Sequence, residues 1–354
     1  VNKLLVAPDI QRSYSISADW IELLALARAE GFATDGDILQ PNDILEDRAA
    51  PLPEGTAGFI QEDPDILDQG VEPALDLIFD ELAFREKVLG PAYPFTLEGG
   101  GRSLKLMVLP ETEDATLNQG RLVYIACLFM SAARVGLINT KAGGIKTDPV
   151  IGNLFQICAT IAAAGYVGGD AYWFGHPRPD ETPMIEAVKV LSTYLHTSAK
   201  GQAPEGETRF AKDGGIDVVA WRDHLDARPA KLILYGQCAS GMNWEGKPVG
   251  PKVSRMNAYY INAPSAHWLP ALLSPFPLYM DKEYAHDLKT EDARAGFYRQ
   301  TEAEMGVIID RLRIVHWCIV GLKDPHPSMS NAINKLDDLF KWSADTHSAV
   351  REAA

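Results

Sequence analysis

Residues 212–247 read KDGGIDVVAWRDHLDARPAKLILYGQCASGMNWEGK, and the interpretation of this stretch sets the fold class. Residues 216–221 and 231–237 are short, β-branched and aromatic runs bounded by glycines and a polar segment at 222–229, which predicts two buried strands joined by a turn. Polar side chains stand at the strand ends, where apolar ones would be expected. Asp217 follows Gly214-Gly215 directly, and the second strand delivers Gln237 and Cys238 before the chain enters a Ser/Gly/Asn loop. This is the layout of a site built on the ends of a sheet.

Such a layout suits metal-assisted phosphodiester hydrolysis, in which a carboxylate, a neighbouring amide or carboxylate oxygen and a backbone carbonyl hold a hard cation. The residues Gly-Ile-Asp-Val-Val-Ala-Trp followed by Lys-Leu-Ile-Leu-Tyr-Gly-Gln-Cys resemble the core of the PD-(D/E)XK nucleases, in particular their Mrr-like restriction branch. The resemblance covers residues 148–262, about a third of the chain. It implies a restriction-endonuclease-like mixed α/β sheet flanked by helices, with Mg²⁺ (or Mn²⁺) held by Asp217 and Gln237. The upstream helix of that pattern falls at residues 149–164, where Gly152-Asn-Leu-Phe155-Gln156 offers Gln156 in place of a glutamate. The pattern's lysine would sit at Ala239, so Lys231 or Lys247 is expected to bring the ammonium from elsewhere. The implied partner is nucleic acid, DNA ahead of RNA, in a bacterial restriction or phage-defence role.

Two other motifs share the segment. Gly241-Met-Asn-Trp-Glu-Gly246-Lys247 has the spacing of a phosphate-cradling P-loop, but Pro248 replaces the Mg²⁺-binding Ser/Thr, and Pro248 with Pro251 argues against the helix that should follow. Gly236-Gln-Cys238-Ala-Ser240 mimics a nucleophile elbow without its second glycine. Two alternatives to a nuclease therefore stand: a catalytically silent nuclease fold that binds nucleic acid or a partner protein, and a cysteine hydrolase centred on Cys238.

The chain has 354 residues, 46% of them hydrophobic and 23% charged, an ordinary globular composition. No apolar run is expected to span a membrane, and the first residues are too quickly polar for a signal peptide. Cys127, Cys158, Cys238 and Cys318 are far apart and form no metal-ligand pairs, so disulfides and structural zinc are disfavoured and a reducing cytoplasm is expected. The net charge of −15 is unevenly placed: residues 1–70 carry four Lys/Arg and fourteen Asp/Glu, a local −10. From 231 to 255 the sign reverses, with Lys231, Lys247, Lys252 and Arg255 against Glu245. Lys252, Arg255, Asn243 and Trp244 are thus the expected nucleic-acid contacts, and the acidic N-terminal segment is expected to meet a protein partner or a second copy.

Helical periodicity appears at 18–30, 71–89 and 119–135, with a hairpin across 93–97 and 103–109 around Gly99-Gly100-Gly101; residues 41–68 read as an acidic connector. These make a mostly helical N-terminal domain, residues 1–147. A Gly-rich hinge at 137–148 leads into the nuclease-like domain, 148–354, expected as helix (149–164), strand (170–174), helix (182–195), the two core strands, a strand or helix at 257–261, and a helical C-terminal extension. Trp268, Phe276 and Tyr279 are expected in the core. His176 is expected in a surface turn with Arg178 nearby.

Overall fold

In the computed structural model, residues 4–9, 13–39, 64–107, 114–200, 212–224, 226, 228, 231–241, 243–280, 288 and 290–353 are described, 64–70 by backbone alone. Most of the acidic connector at 41–68 lies outside the described residues.

The N-terminal half is built on α1 (Tyr14–Ala27), in which every residue is buried. It is followed by β1 (Phe32–Thr34), α2 (Gly36–Leu39) and the long α3 (Pro64–Leu89). The hairpin forms as β2 (Phe95–Glu98) and β3 (Ser103–Leu106), and β1 joins it to give an antiparallel sheet of order β1-β3-β2. Gly99, Gly100 and Gly101 all have positive φ in the connection, which is why that turn is written in glycine. Next comes α4 (Ala115–Val135), whose first turn is capped by the Asp114 carboxylate and whose end is closed by Gly136 in the left-handed region.

The second half carries a five-stranded mixed sheet. Its elements are α5 (Val150–Val167), β4 (Asp170–Trp173), α6 (Met184–Tyr194), β5 (Val218–Arg222), β6 (Leu232–Cys238), α7 (Gly250–Tyr259), β7 (Leu269–Leu273), α8 (Glu291–Met305), β8 (Val307–Ile309), α9 (Arg311–Lys323), α10 (Ser330–Ile333) and α11 (Leu336–Ala353). Strand order is β4-β5-β6-β7-β8, antiparallel from β4 to β6 and parallel from β6 to β8. Pleating sends Val218, Ala220, Leu234 and Cys238 to the face covered by α5, and Val219, Trp221, Ile233 and Tyr235 to the face covered by α6 and α7. Both faces are buried, so both core strands read as continuous apolar runs.

The helix α7 departs from the expectation that prolines forbid one here. Pro251 occupies the first turn, where its missing N–H has no intrahelical partner to lose. The open choice at 257–261 thus falls mostly within a helix. Strand β7 contains Pro270, and neither it nor β8 stands out in sequence.

Largely apolar, α5 lies sandwiched between the sheet and α9. Gly165 and Gly321 let the two helices touch: a Cβ on Gly165 would stand 2.0 Å from the Trp317 carbonyl oxygen, and one on Gly321 2.5 Å from that of Ile161. Among the described residues it is the one helix long and apolar enough to cross a membrane, but 78% of that window is buried inside the protein.

The two halves share one apolar core and a buried ionic network. The Asp19 carboxylate accepts a bidentate pair of bonds from Arg311 (2.8 Å each), one from Arg85 (2.8 Å) and one from the Ser131 hydroxyl (2.9 Å). Glu22 accepts from the hydroxyls of Tyr93 and Tyr124 at 2.6 Å, and Glu81 binds Arg85 and Tyr279. Burial opposes the charge on Asp19, but Arg311 and Arg85 outweigh it and hold its pKa below the usual carboxylate value. Glu22, with less compensation, is pushed up by burial.

Candidate functional site

The register of β5 and β6 places Val218 opposite Gly236, so Asp217 and Gln237 face each other across the ladder. Both project from the α7 face at the end of the sheet. Asp217 is held by its backbone as well as its side chain: its N–H donates to the Gly236 carbonyl (2.9 Å), and its own carbonyl accepts from Phe174 and Gly175 (3.0 and 2.7 Å). Its Oδ2 accepts the Cys238 backbone N–H at 2.7 Å.

Gln156 approaches from the second turn of α5, where its Oε1 accepts the Trp173 indole N–H at 2.6 Å. Gly175 is the point at which these groups converge. A Cβ built there would lie 2.1 Å from Gln156 Oε1 and 2.8 Å from Asp217 Oδ1. Glycine is required there because the Gln156 and Asp217 oxygens pack directly against its Cα, where any side chain would collide with both.

The ammonium comes from Lys252, in the first turn of α7, which donates to Gln237 Oε1. A Cβ on Gly215 would sit 2.7 Å from Lys252 Cδ, so this glycine clears the path of the lysine stem. Lys247 also lies close enough to act on the charge of Asp217. Asp213 ties the rim together, accepting from the backbone N–H groups of His176 (3.0 Å) and Gly215 (2.8 Å).

Burial raises the Asp217 carboxyl from 3.8 to about 6, with Asp213 adding to the rise and the Cys238 N–H, Lys247 and Lys252 opposing it. Burial likewise lowers the Lys252 ammonium, offset in part by Asp217. The Cys238 thiol is pushed well up by burial and by the Asp217 charge, so it carries little thiolate at neutral pH.

The structure thus brings together Asp217, Gln237, Gln156 and Lys252, with Lys247 near. It does not bring Lys231 there. That residue precedes the far end of β6, 2% exposed, with its ammonium donated to the Tyr194 carbonyl at 2.6 Å and paired with Asp223. Trp244 is also misplaced by the sequence reading: it is buried edge-on against Phe297 and offers no face to a base. Asn243 and Arg255 are exposed. Ala239, where the resembling pattern has its lysine, is fully buried. His176 is exposed in its turn, whereas Arg178 is buried and donates to the Thr182 and Lys212 carbonyls. Trp173, Gly175 and Asp213 escaped the sequence reading, which held no signal for them beyond a glycine at a strand end.

The donor set can be tested against a hard dication. Mg²⁺ keeps several waters and needs one or two carboxylates. Asp217 supplies one, its Oδ1 turned toward Gly175 beside the Gln156 amide oxygen and with Gln237 across the ladder, which meets the minimum carboxylate count such an ion takes. Among the described residues no group of three or more His, Cys, Asp or Glu gathers as a metal cluster. No protein-family model, no curated protein and no solved structure matches the chain.

Proposed function

We propose that the chain is a metal-dependent nuclease of the PD-(D/E)XK type, acting on DNA or RNA phosphodiesters at the Asp217 cluster. The observation that carries this reading is the convergence of one carboxylate, two amides and an ammonium from four separate elements at the end of a mixed sheet. Asp217 and Gln237 would hold Mg²⁺ or Mn²⁺, which when bound supplies Lewis acidity toward a phosphate oxygen and a more acidic water. The chain's own residues do the positioning. The Cys238 N–H fixes the rotamer of Asp217, and the Trp173 indole fixes the amide of Gln156. Lys252 would donate to a non-bridging phosphate oxygen as negative charge builds there. A restriction or phage-defence role is the setting we infer for it.

A second reading, a silent nuclease fold that binds nucleic acid, is favoured by the single carboxylate and by Ala239. One experiment separates the two. Purified full chain is incubated with plasmid, single-stranded DNA and RNA in Mg²⁺ or Mn²⁺, beside Asp217→Asn and Lys252→Met. The nuclease reading expects cleavage by the parent chain and at least a hundredfold loss in both variants; absence of cleavage, or full activity in Asp217→Asn, refutes it.

A further inference from the structure

The face of α7 that carries Lys252 continues away from the Asp217 cluster through Arg255 to Tyr259. Val253, Met256 and Tyr260 form the buried stripe of the helix, in one apolar cluster with Tyr235 and Ile233. At about 100° per residue, Lys252, Arg255 and Tyr259 fall within an arc of about 60° along the edge of that buried stripe. Lys252 is at the cleft, Arg255 is one turn on, and Tyr259 lies about 10 Å along the axis, the length of about three stacked nucleotides.

Tyr259 is the feature that needs explaining. It is 49% exposed, and it is the single aromatic among the exposed large hydrophobic side chains of the described residues. On its own face the helix sets Arg255 before it, and Met256 one turn back is buried. Beside it, Lys200 donates to the carbonyls of Asn257 (3.0 Å) and Ala258 (2.7 Å), bringing a cation to the helix end. Two cations and one exposed ring thus share an arc of α7, with a third cation at its end, in a chain whose net charge is −15.

We propose that α7 is a track for a single nucleic-acid strand, with Lys252 and Arg255 meeting successive phosphates and Tyr259 stacking on an unpaired base. The choice of a single strand over a duplex follows from the ring. A base can stack on an exposed tyrosine only when it has left its own helix, whereas duplex contacts would call for donors aimed at groove edges. This deepens the reading of the Asp217 site by naming the form of its substrate, and it rests on that reading only for the location of the scissile phosphate.

The test is fluorescence anisotropy of the full chain in EDTA at one fixed salt concentration, with labelled oligo(dT), oligo(U) and a blunt DNA duplex. The track expects tighter binding to the single strands than to the duplex. Tyr259→Ala should weaken single-strand binding about tenfold, about 1.4 kcal/mol of stacking, and leave the duplex unchanged, while Tyr259→Phe keeps the parent affinity. Arg255→Ala should weaken all probes and lower the salt slope by about 1. The two oligonucleotides report whether DNA or RNA is preferred. Unchanged binding by Tyr259→Ala, an equal loss on duplex, stronger duplex binding or no binding at all would overturn the proposal. A chain that cuts but ignores Tyr259 sinks the track alone; one that never cuts yet binds single strands through Tyr259 sinks only the nuclease reading.

Discussion

Asp217→Asn should make the protein more stable. The substitution preserves shape, and the asparagine oxygen can still accept the Cys238 N–H that now reaches Asp217 at 2.7 Å. What it removes is a buried charge. The carboxyl is raised from 3.8 to about 6 by desolvation, so the folded chain holds this proton more tightly than the unfolded chain does. The resulting stability is fully present below about pH 4 and lost as pH rises through 6, where the folded form must accept an ionised acid it solvates poorly. At 1.36 kcal/mol per pH unit, the penalty above pH 6 is about 3 kcal/mol, an order-of-magnitude figure. Urea midpoints of parent and variant, followed by far-UV circular dichroism in EDTA at pH 4.5, 6 and 8, measure it directly. The gap should favour the variant at pH 8 and narrow toward pH 4.5. A variant less stable than the parent at pH 8, or a gap that ignores pH, would refute the claim that the cluster holds an undercompensated carboxylate.

Gly175→Ala should cost about 1–3 kcal/mol of stability, since its Cβ would meet Gln156 Oε1 at 2.1 Å and Asp217 Oδ1 at 2.8 Å and must push both aside; cleavage should fall at least tenfold, and an alanine variant with parental urea midpoint and turnover would contradict the convergence described. Asp19→Asn should destabilise by about 3–5 kcal/mol, because Arg311 and Arg85 lose the carboxylate that balances them in a site without water access. Asp19 is held below its ordinary pKa, so the stability it contributes is present above about pH 4 and lost as pH falls. The urea midpoint of the variant should therefore depend less on pH over the acid range than that of the parent.

How much of this was legible depends on whether the deciding force is local. Strands β5 and β6 were readable to within two residues, because a strand buried on both faces must be apolar throughout and glycines mark its start. The pairing of Asp217 with Gln237 followed from that register. Lys252 falls in the sequence among the expected nucleic-acid contacts; what carries it to Gln237 is α7, a helix against which Pro248 and Pro251 argue in the sequence. A proline breaks a helix only where an N–H is needed, and in the first turn none is. Lys231 failed for a related reason: sequence gives its position on the strand but not that the Tyr194 carbonyl waits at the wrong end. The burial of α1 was hidden as well. Trp20, Leu23, Leu24 and Ala27 mark one apolar face, but the burial of Asp19 depends on Arg85 and Arg311, contributed from 66 and 292 residues away.

The two buried aspartates show why the cluster at Gly175, and not the larger ionic network, is the place to look for function. Asp19 receives a bidentate pair from Arg311, one bond from Arg85 and a hydroxyl, and its pKa goes down; every hydrogen-bonding demand of the carboxylate is met from within, which leaves nothing for a ligand to do. Asp217 is also buried, yet its carboxylate accepts one backbone N–H, the nearby Lys252 is bonded to Gln237 and itself depressed by burial, and its pKa goes up. A protein able to neutralise a buried acid as thoroughly as it does at Asp19 has the means to do so at Asp217. That it instead uses glycines at 175 and 215 to bring a second polar oxygen and a lysine stem up against an undercompensated carboxylate is the arrangement expected where an incoming charge completes the site.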